Sequence, residues 1–204
     1  DRDSIGRVIK LTYVIDEGPK VYIERINVTG NVRTRDDVIR REFRLSEGDP
    51  YNSEKMRRSE QRINNLGFFE KVDIKTEQGS APDKTVVNVD VQEKSTGEVN
   101  IGAGYSSTDG VLGDFGIREN NLLGRGQELK TRLTLAARRK QIELGFTEPY
   151  FLNRELAAGF DVYRTRLDFL SESSYNLDTA GVNLRMGYSI QEKLRHQISY
   201  SLRN

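Results

Sequence analysis

The 204 residues include one histidine, His196, and no cysteine, which together limit the chemistry its side chains can do. Without cysteine there is no thiol nucleophile, no thiolate metal site and no disulfide framework. A lone histidine can act as a general base only beside a nucleophile and an orienting carboxylate. Neither a Ser-His-Asp arrangement nor an HExxH run is present. His196 also shares strand parity with Leu194 and Ile198, which places it on an oily face rather than in a site. These residues predict no enzyme, no metal and no cofactor, and replacing His196 is expected to leave function intact.

Arg33, Arg35, Arg40, Arg41 and Arg44 put five arginines into twelve residues, a density that could hold nucleic-acid phosphates. Asp36, Asp37 and Glu42 interleave with them, and the chain carries 32 Lys+Arg against 31 Asp+Glu, a formal net charge of +1. A solvated helix face accounts for the run better, and no nucleic-acid partner is expected. Gly124-Arg125-Gly126 has the glycines of a phosphate cradle, but a strand rather than a helix follows, so it reads as a turn.

The elements that hold these residues fall into two kinds. No run approaches the ~20 apolar residues of a membrane helix. A membrane barrel remains open, because alternating strands average to polar, in keeping with a mean hydropathy of -0.67. No secretory signal opens the chain, so an export signal would lie upstream of residue 1. Near residue 95 the character changes from mixed strand and helix to glycine-rich alternating strands. The expected division is 1–19 as the end of a preceding domain, 20–95 as an α+β domain, and 96–204 as strands.

The lead-in is a strand over residues 8–15 closed by Asp16-Glu17-Gly18-Pro19. The α+β part starts with a strand over residues 21–29, with Ile23 on one face and Tyr22, Ile26 and Val28 on the other. Thr34 is the expected N-cap of a short helix, with Asp36 and Asp37 in its first turn. Val38, Ile39 and Phe43 share a face of that helix, leaving Arg40, Arg41, Glu42 and Arg44 largely to solvent. Asn52 or Ser53 caps a second helix with apolar Met56, Ile63 and Leu66, and Gly67 suits its left-handed end. Strands over residues 68–76 and 85–91 complete a β-α-α-β-β order.

After residue 95, Val99, Ile101, Ala103 and Tyr105 alternate with Asn100, Gly102 and Gly104. The same alternation recurs over residues 111–118, 129–135, 142–147, 156–162, 182–190 and 194–203, giving about seven strands. A soluble sandwich also alternates, but its polar face is less often Gly, Asp and Arg. Several segments approach the about 9 to 11 residues that cross a bilayer when tilted.

Specific motifs carry a resemblance. Glu17-Gly18-Pro19 with Tyr22 and Ile23, Val28-Thr29-Gly30-Asn31, and Asn65-Leu66-Gly67-Phe68-Phe69-Glu70 resemble the POTRA repeat, the periplasmic module of BamA-type proteins. Gly102-Ala103-Gly104-Tyr105, the segment from Glu119 to Gln127, and Phe146-Thr147-Glu148-Pro149-Tyr150-Phe151-Leu152 resemble the start of the BamA-family barrel. The resemblance implies an outer-membrane protein with its POTRA module in the periplasm, assembling other barrels without ATP or cofactor. It implies a family barrel of roughly sixteen strands, of which this chain would hold about seven as a fragment. Two relatives of the same superfamily, a two-partner secretion transporter and an autotransporter-assembly protein, are the alternatives.

The resemblance also assigns candidate sites. The first barrel strand, Glu98, Val99, Asn100, Ile101, Gly102, Ala103, Gly104 and Tyr105, would be the edge that opens sideways and templates a nascent barrel strand. Glycines there weaken the strand and leave room for another backbone, although relief of crowding inside a barrel would explain them too. Arg40, Arg41, Glu42, Phe43 and Arg44 would meet an accessory lipoprotein. The expected partners are nascent outer-membrane barrels, accessory lipoproteins and outer-membrane lipid.

Overall fold

The computed structural model describes residues 2–3, 8–9, 19–169, 175–191 and 194–204. Strands β1 (Arg2–Asp3) and β2 (Val8–Ile9) form a small antiparallel pair. Most of the expected strand over residues 8–15, and the turn at residues 16–18, lie outside the described residues.

The first unit runs β3 (Tyr22–Thr29), α1 (Asp36–Arg40), α2 (Ser53–Asn65), β4 (Phe69–Gln78), β5 (Lys84–Glu93), the β-α-α-β-β order read from the sequence. The last strand lies in the middle of the sheet, parallel to β3 and antiparallel to β4. Val87, Val89 and Val91 on one face of β5 are buried against Val38, Ile39, Met56 and Ile63 from the helices, with Phe68 and Phe69 closing the core where α2 turns into β4. That turn is made by Gly67 at φ +73°, a conformation glycine adopts without a Cβ penalty.

Two local expectations give way. Ile23 and Ile26 are both buried, whereas strict alternation put them on opposite faces. The β3–β5 register shifts between Ile23 and Arg25, and a bulge of this kind resets the parity of the strand. Asn52 caps α2 as expected, accepting a 2.9 Å bond from the Lys55 amide. Thr34 does not cap α1: the cap position is Arg35, without a side-chain bond, and the Thr34 hydroxyl is engaged with the second unit.

The second unit is a seven-stranded antiparallel meander: β6 (Gly97–Ser106), β7 (Gly110–Leu122), β8 (Gln127–Ala136), β9 (Arg139–Glu148), β10 (Leu156–Phe169), β11 (Tyr175–Gln191) and β12 (Leu194–Arg203). Each strand pairs with its neighbours in sequence, and β6 and β12 form the two edges. Among the described residues no helix is long and apolar enough to cross a membrane. The strands show the alternation a membrane barrel needs. Val99, Ile101, Phe115, Leu144, Phe160 and Leu184 stand on an exposed apolar face, with Ile101 at 80% of its free surface.

The opposite face is tied together by charge. Lys130 on β8 reaches Glu143 on β9 at 3.1 Å and Asp161 on β10 at 3.2 Å, and Arg185 on β11 reaches Asp161 at 2.8 Å. The set spans four strands because Gly145 stands between them: a Cβ there would lie 2.3 Å from Lys130 Cε and 2.6 Å from Asp161 Oδ1. Tyr163 likewise lies over Gly181, its directly paired residue on β11.

Candidate functional site

The candidate opening strand is β6. It has β7 as its neighbour from Gly97↔Glu119 to Ser106↔Gly110, and every residue from Glu98 to Tyr105 is exposed. Its polar face carries Glu98, Asn100, Gly102 and Gly104; Glu98 stands opposite Arg118 in register, but among the described residues no ion pair joins β6 to β7. The neighbouring β7–β8 pair carries two, Arg118 with Glu128 at 3.5 Å and Arg132 with Asp114 at 3.9 Å. A Cβ on Gly102 would meet only Asp114 Cβ at 3.8 Å, and one on Gly104 would meet the Leu112 side chain at 3.5 Å. Both distances are ordinary contact, so crowding among the described strands does not require these glycines. At the base of β6, Thr96 Oγ1 donates to Glu119 Oε1 at 2.5 Å and the Thr96 carbonyl accepts from Asn120 Nδ2 at 3.2 Å.

The other candidate residues, Arg40, Arg41, Glu42, Phe43 and Arg44, lie where α1 ends and the chain turns toward α2. The expectation that the charged four face solvent is corrected for three of them. Glu42 is 6% exposed, and Arg41 and Arg44 are half-buried, while Arg40 remains exposed. The helix stops at Arg40, so the residues after it follow a turn rather than a helical face. Arg40 pairs with Asp36 and donates to the Ile26 carbonyl at 2.7 Å. Phe43 packs on the core of the first unit.

Glu42 is enclosed by partners from both units. Arg62 on α2 pairs with Glu42 Oε2 at 2.8 Å, and the Tyr150 hydroxyl, from the turn after β9, donates to Glu42 Oε1 at 3.1 Å. Arg62 also reaches Glu155 at 3.0 Å, and the Arg41 guanidinium stacks over the Tyr150 ring 4.1 Å from its centroid. Burial pushes the Tyr150 phenol up, and the Glu42 carboxylate adds to it, so that it titrates at about 12. Burial alone would pull the Arg62 guanidinium down, but Glu42, Tyr150 and Glu155 reverse this and leave it above its ordinary value.

A second set of bonds joins the units on the side nearer β6. Asn121 Nδ2 donates to Thr34 Oγ1 at 2.9 Å, and Asn121 Oδ1 accepts from the Gly126 amide at 2.7 Å. The Arg35 amide donates to the Gly124 carbonyl at 2.9 Å. Glu93 at the end of β5 accepts from the amides of Arg33 and Thr34 at 2.9 and 2.6 Å. Burial alone would raise the Glu93 carboxyl, and these bonds outweigh it to hold it below its ordinary range. Sequence reading missed Thr34, Asn121 and Tyr150 as partners across the two units. The Asn121 segment reads as a loop and the Tyr150 segment is marked by resemblance, and neither says what the residue touches.

The turns after β7 and β9 therefore lie against the first unit, and those at residues 107–109 and 137–138 lie at the far end of the strands. A one-sided sheet with an oily outer face, a charged inner face and an α/β module bonded to one rim defines a class: a membrane barrel with a soluble module on one side.

Comparison with known proteins gives that class its family. Residues 21–94 match POTRA, described as a surface antigen variable number repeat, and residues 121–204 match the Omp85 superfamily domain. The chain is 34% identical over 183 residues to the outer membrane protein assembly factor BamA of Neisseria meningitidis serogroup B, covering 87% of this chain and 23% of that protein. It is 36% identical over 200 residues to BamA of Neorickettsia risticii, covering 98% of this chain and 27% of that protein. The crystal structure of BamA from Haemophilus ducreyi lacking POTRA domains 1–3 matches with a TM-score of 0.79 at 26% identity, over 92% of this chain and 36% of that one. CdiB from Acinetobacter baumannii shares the fold, with a TM-score of 0.58 at 16% identity over 91% of this chain and 39% of that one. The chain belongs to the BamA family of the Omp85 superfamily, and it spans about a quarter of the length of the curated relatives it matches. Its strands accordingly sit in the outer membrane and its POTRA module in the periplasm.

Proposed function

We propose that the protein folds and inserts β-barrel proteins into the outer membrane by templating their strands on the edge from Glu98 to Tyr105. The observation that carries this reading is the weak attachment of β6: a polar face of Glu98, Asn100, Gly102 and Gly104 with no ion pair to β7 among the described residues, beside strands held together by charge. An edge of free backbone donors and acceptors can add a client strand by β-augmentation, and the free energy of client folding and lipid burial drives insertion without a nucleotide. The relatives are named as assembly factors, which supports a non-enzymatic role. With this goes a division into the end of a preceding POTRA domain at 1–19, the last POTRA domain at 20–95 and the leading barrel strands at 96–204.

The accessory-lipoprotein contact at Arg40, Arg41, Glu42, Phe43 and Arg44 belongs to the same proposal. Arg40 is its most exposed charge, while Glu42 is bonded to Arg62 and Tyr150. Reversal at Arg40 that leaves the complex intact would refute that contact without disturbing the junction. A two-partner secretion or autotransporter-assembly transporter of the same superfamily is the second reading, and the likeness to CdiB bears on the fold alone.

Site-specific photo-crosslinking from Gly102 and Tyr105, in the full-length parent and in membranes making new barrels, tests the main reading. Adducts to the terminal strands of nascent barrels are expected. Adducts to a secreted chain, from pore-facing positions alone, would move the assignment to transport.

A further inference from the structure

We propose that the cleft where β6 leaves the POTRA module binds a glycerophospholipid of the periplasmic leaflet, its phosphate toward Arg33 and Lys94 and its acyl chains rising past Leu122 and Leu123. The cleft measures about 350 Å3 and combines POTRA residues Arg33, Phe68 and Lys94 with Glu119, Leu122 and Leu123 of the barrel rim. The inference rests on the outer-membrane setting of the strands and not on the opening of β6.

Strand register places the cleft at the edge of the lipid-facing surface. Glu119 pairs with Gly97 and extends the outward row of Val111, Phe115 and Ile117. After the register shift that follows Glu119, Leu122 pairs with Gln127, whose side chain donates to Glu148 at 2.6 Å. Glu148 continues the outward row of Leu144 and Phe146. The polar pair Gln127 and Glu148 thus marks where the oily face ends, and Leu122 and the cleft lie at that level, where acyl chains give way to headgroups.

Charge and conformation agree with that position. Both carboxylates of the cleft are engaged within the chain: Glu93 by the Arg33 and Thr34 amides, and Glu119 by Thr96 Oγ1 and the Asn121 amide. Arg33 and Lys94 are exposed and offer a phosphate two cations, and the carboxylates Glu93 and Glu119 beside them balance the charge of the cleft, as suits a zwitterionic headgroup. Leu123 has φ +54°, a left-handed conformation that asparagine or glycine holds with less strain, yet 77% of its surface is exposed. Packing within the chain does not reward a leucine there; acyl chains would bury it, and the surface it continues is already lipid-facing.

The test uses the full-length parent reconstituted with phosphatidylethanolamine and phosphatidylglycerol, extracted into mild detergent and examined by native mass spectrometry. The double variant Arg33→Glu, Lys94→Glu is expected to lose retained phospholipid at least fivefold relative to the parent. Lys71→Glu, Lys75→Glu, with the same charge change on an exposed strand of the module, is expected to keep it. Equal retention in both variants overturns the proposal, and equal loss in both reduces it to non-specific charge. If the reversal does not fold, Arg33→Gln with Lys94→Gln carries the same comparison. A nitroxide on Leu123→Cys in the bilayer gives an independent reading. Accessibility to oxygen over a nickel chelate is expected, accessibility to the chelate overturns the proposal, and shielding from both would assign the cleft to a protein. No client is needed for either measurement, so their failure is separable from failure of the assembly reading.

Discussion

Removing the Tyr150 hydroxyl should loosen the POTRA module from the barrel rim while leaving both units folded. In Tyr150→Phe the ring that Arg41 stacks on is retained, at 4.1 Å from the guanidinium, and Arg62 still pairs with Glu42 Oε2 at 2.8 Å. What disappears is the hydroxyl that donates to Glu42 Oε1 at 3.1 Å, a bond to a charged acceptor on a side chain that is 6% exposed, and that accepts from Arg62 Nη2 at 3.0 Å. Such bonds contribute about 1.5–3 kcal/mol when the acceptor cannot turn to water. Tyr150 is only half-buried, so the lower end applies, about 1.5–2 kcal/mol, or roughly a ten- to thirty-fold rise in the undocked population. Amide exchange of the Arg35 segment reports this, because the Arg35 amide donates across the junction to the Gly124 carbonyl at 2.9 Å. Exchange there should quicken ten- to thirty-fold, with the β10–β11 amides unchanged. A change under about twofold would refute the idea that the two bonded patches open as one unit. An equal change in β10–β11 would place the effect in the barrel instead.

The same group sets an alkaline limit. The Tyr150 phenol is raised to about 12, so the stability it contributes to docking is fully present below its unfolded value near 10 and is lost as the pH rises through about 12. Phenolate absorbance should show one tyrosine titrating late, and Tyr150→Phe should remove it. Gly124→Ala places a Cβ 1.9 Å from the Arg33 carbonyl oxygen at φ +71°, so the turn must shift, at a cost of at least about 2 kcal/mol of docking in the exchange assay. Gly145→Ala should push Lys130 off Asp161 and lower barrel stability in urea by about 1 kcal/mol, discounted for the partial exposure of Lys130. Gly102→Ala should fit without a clash, since its Cβ meets only Asp114 Cβ at 3.8 Å, and should firm the β6–β7 pair. Client insertion measured in proteoliposomes should then slow; an unchanged rate would count against β6 as the moving strand.

Much of the fold could be read from local pattern. The Asn52 cap, the Leu66-Gly67-Phe68-Phe69 turn into the sheet and the seven alternating strands follow from spacing and residue type within short windows. Ile23 and Ile26 were misjudged because a bulge changes strand parity with no residue type to announce it. Glu42 was misjudged for a different reason. Its burial depends on Arg62, twenty positions away, and on Tyr150, 108 positions away, and a charged residue after a short helix looks solvated until those partners arrive. Thr34 likewise looked like a cap because its true partner, Asn121, lies 87 positions on.

The charge set of Lys130, Glu143, Asp161 and Arg185 has a mechanical consequence for the sheet as a plate. It ties β8 to β11 into one panel, and it leaves β6 a hem held by its backbone bonds to β7 and the ties of Thr96 to Glu119 and Asn120. A tear begun at the far end of β6 can run down the β6–β7 seam residue by residue, meeting little but backbone bonds. One that tried to go deeper would have to break several ionic rivets at once.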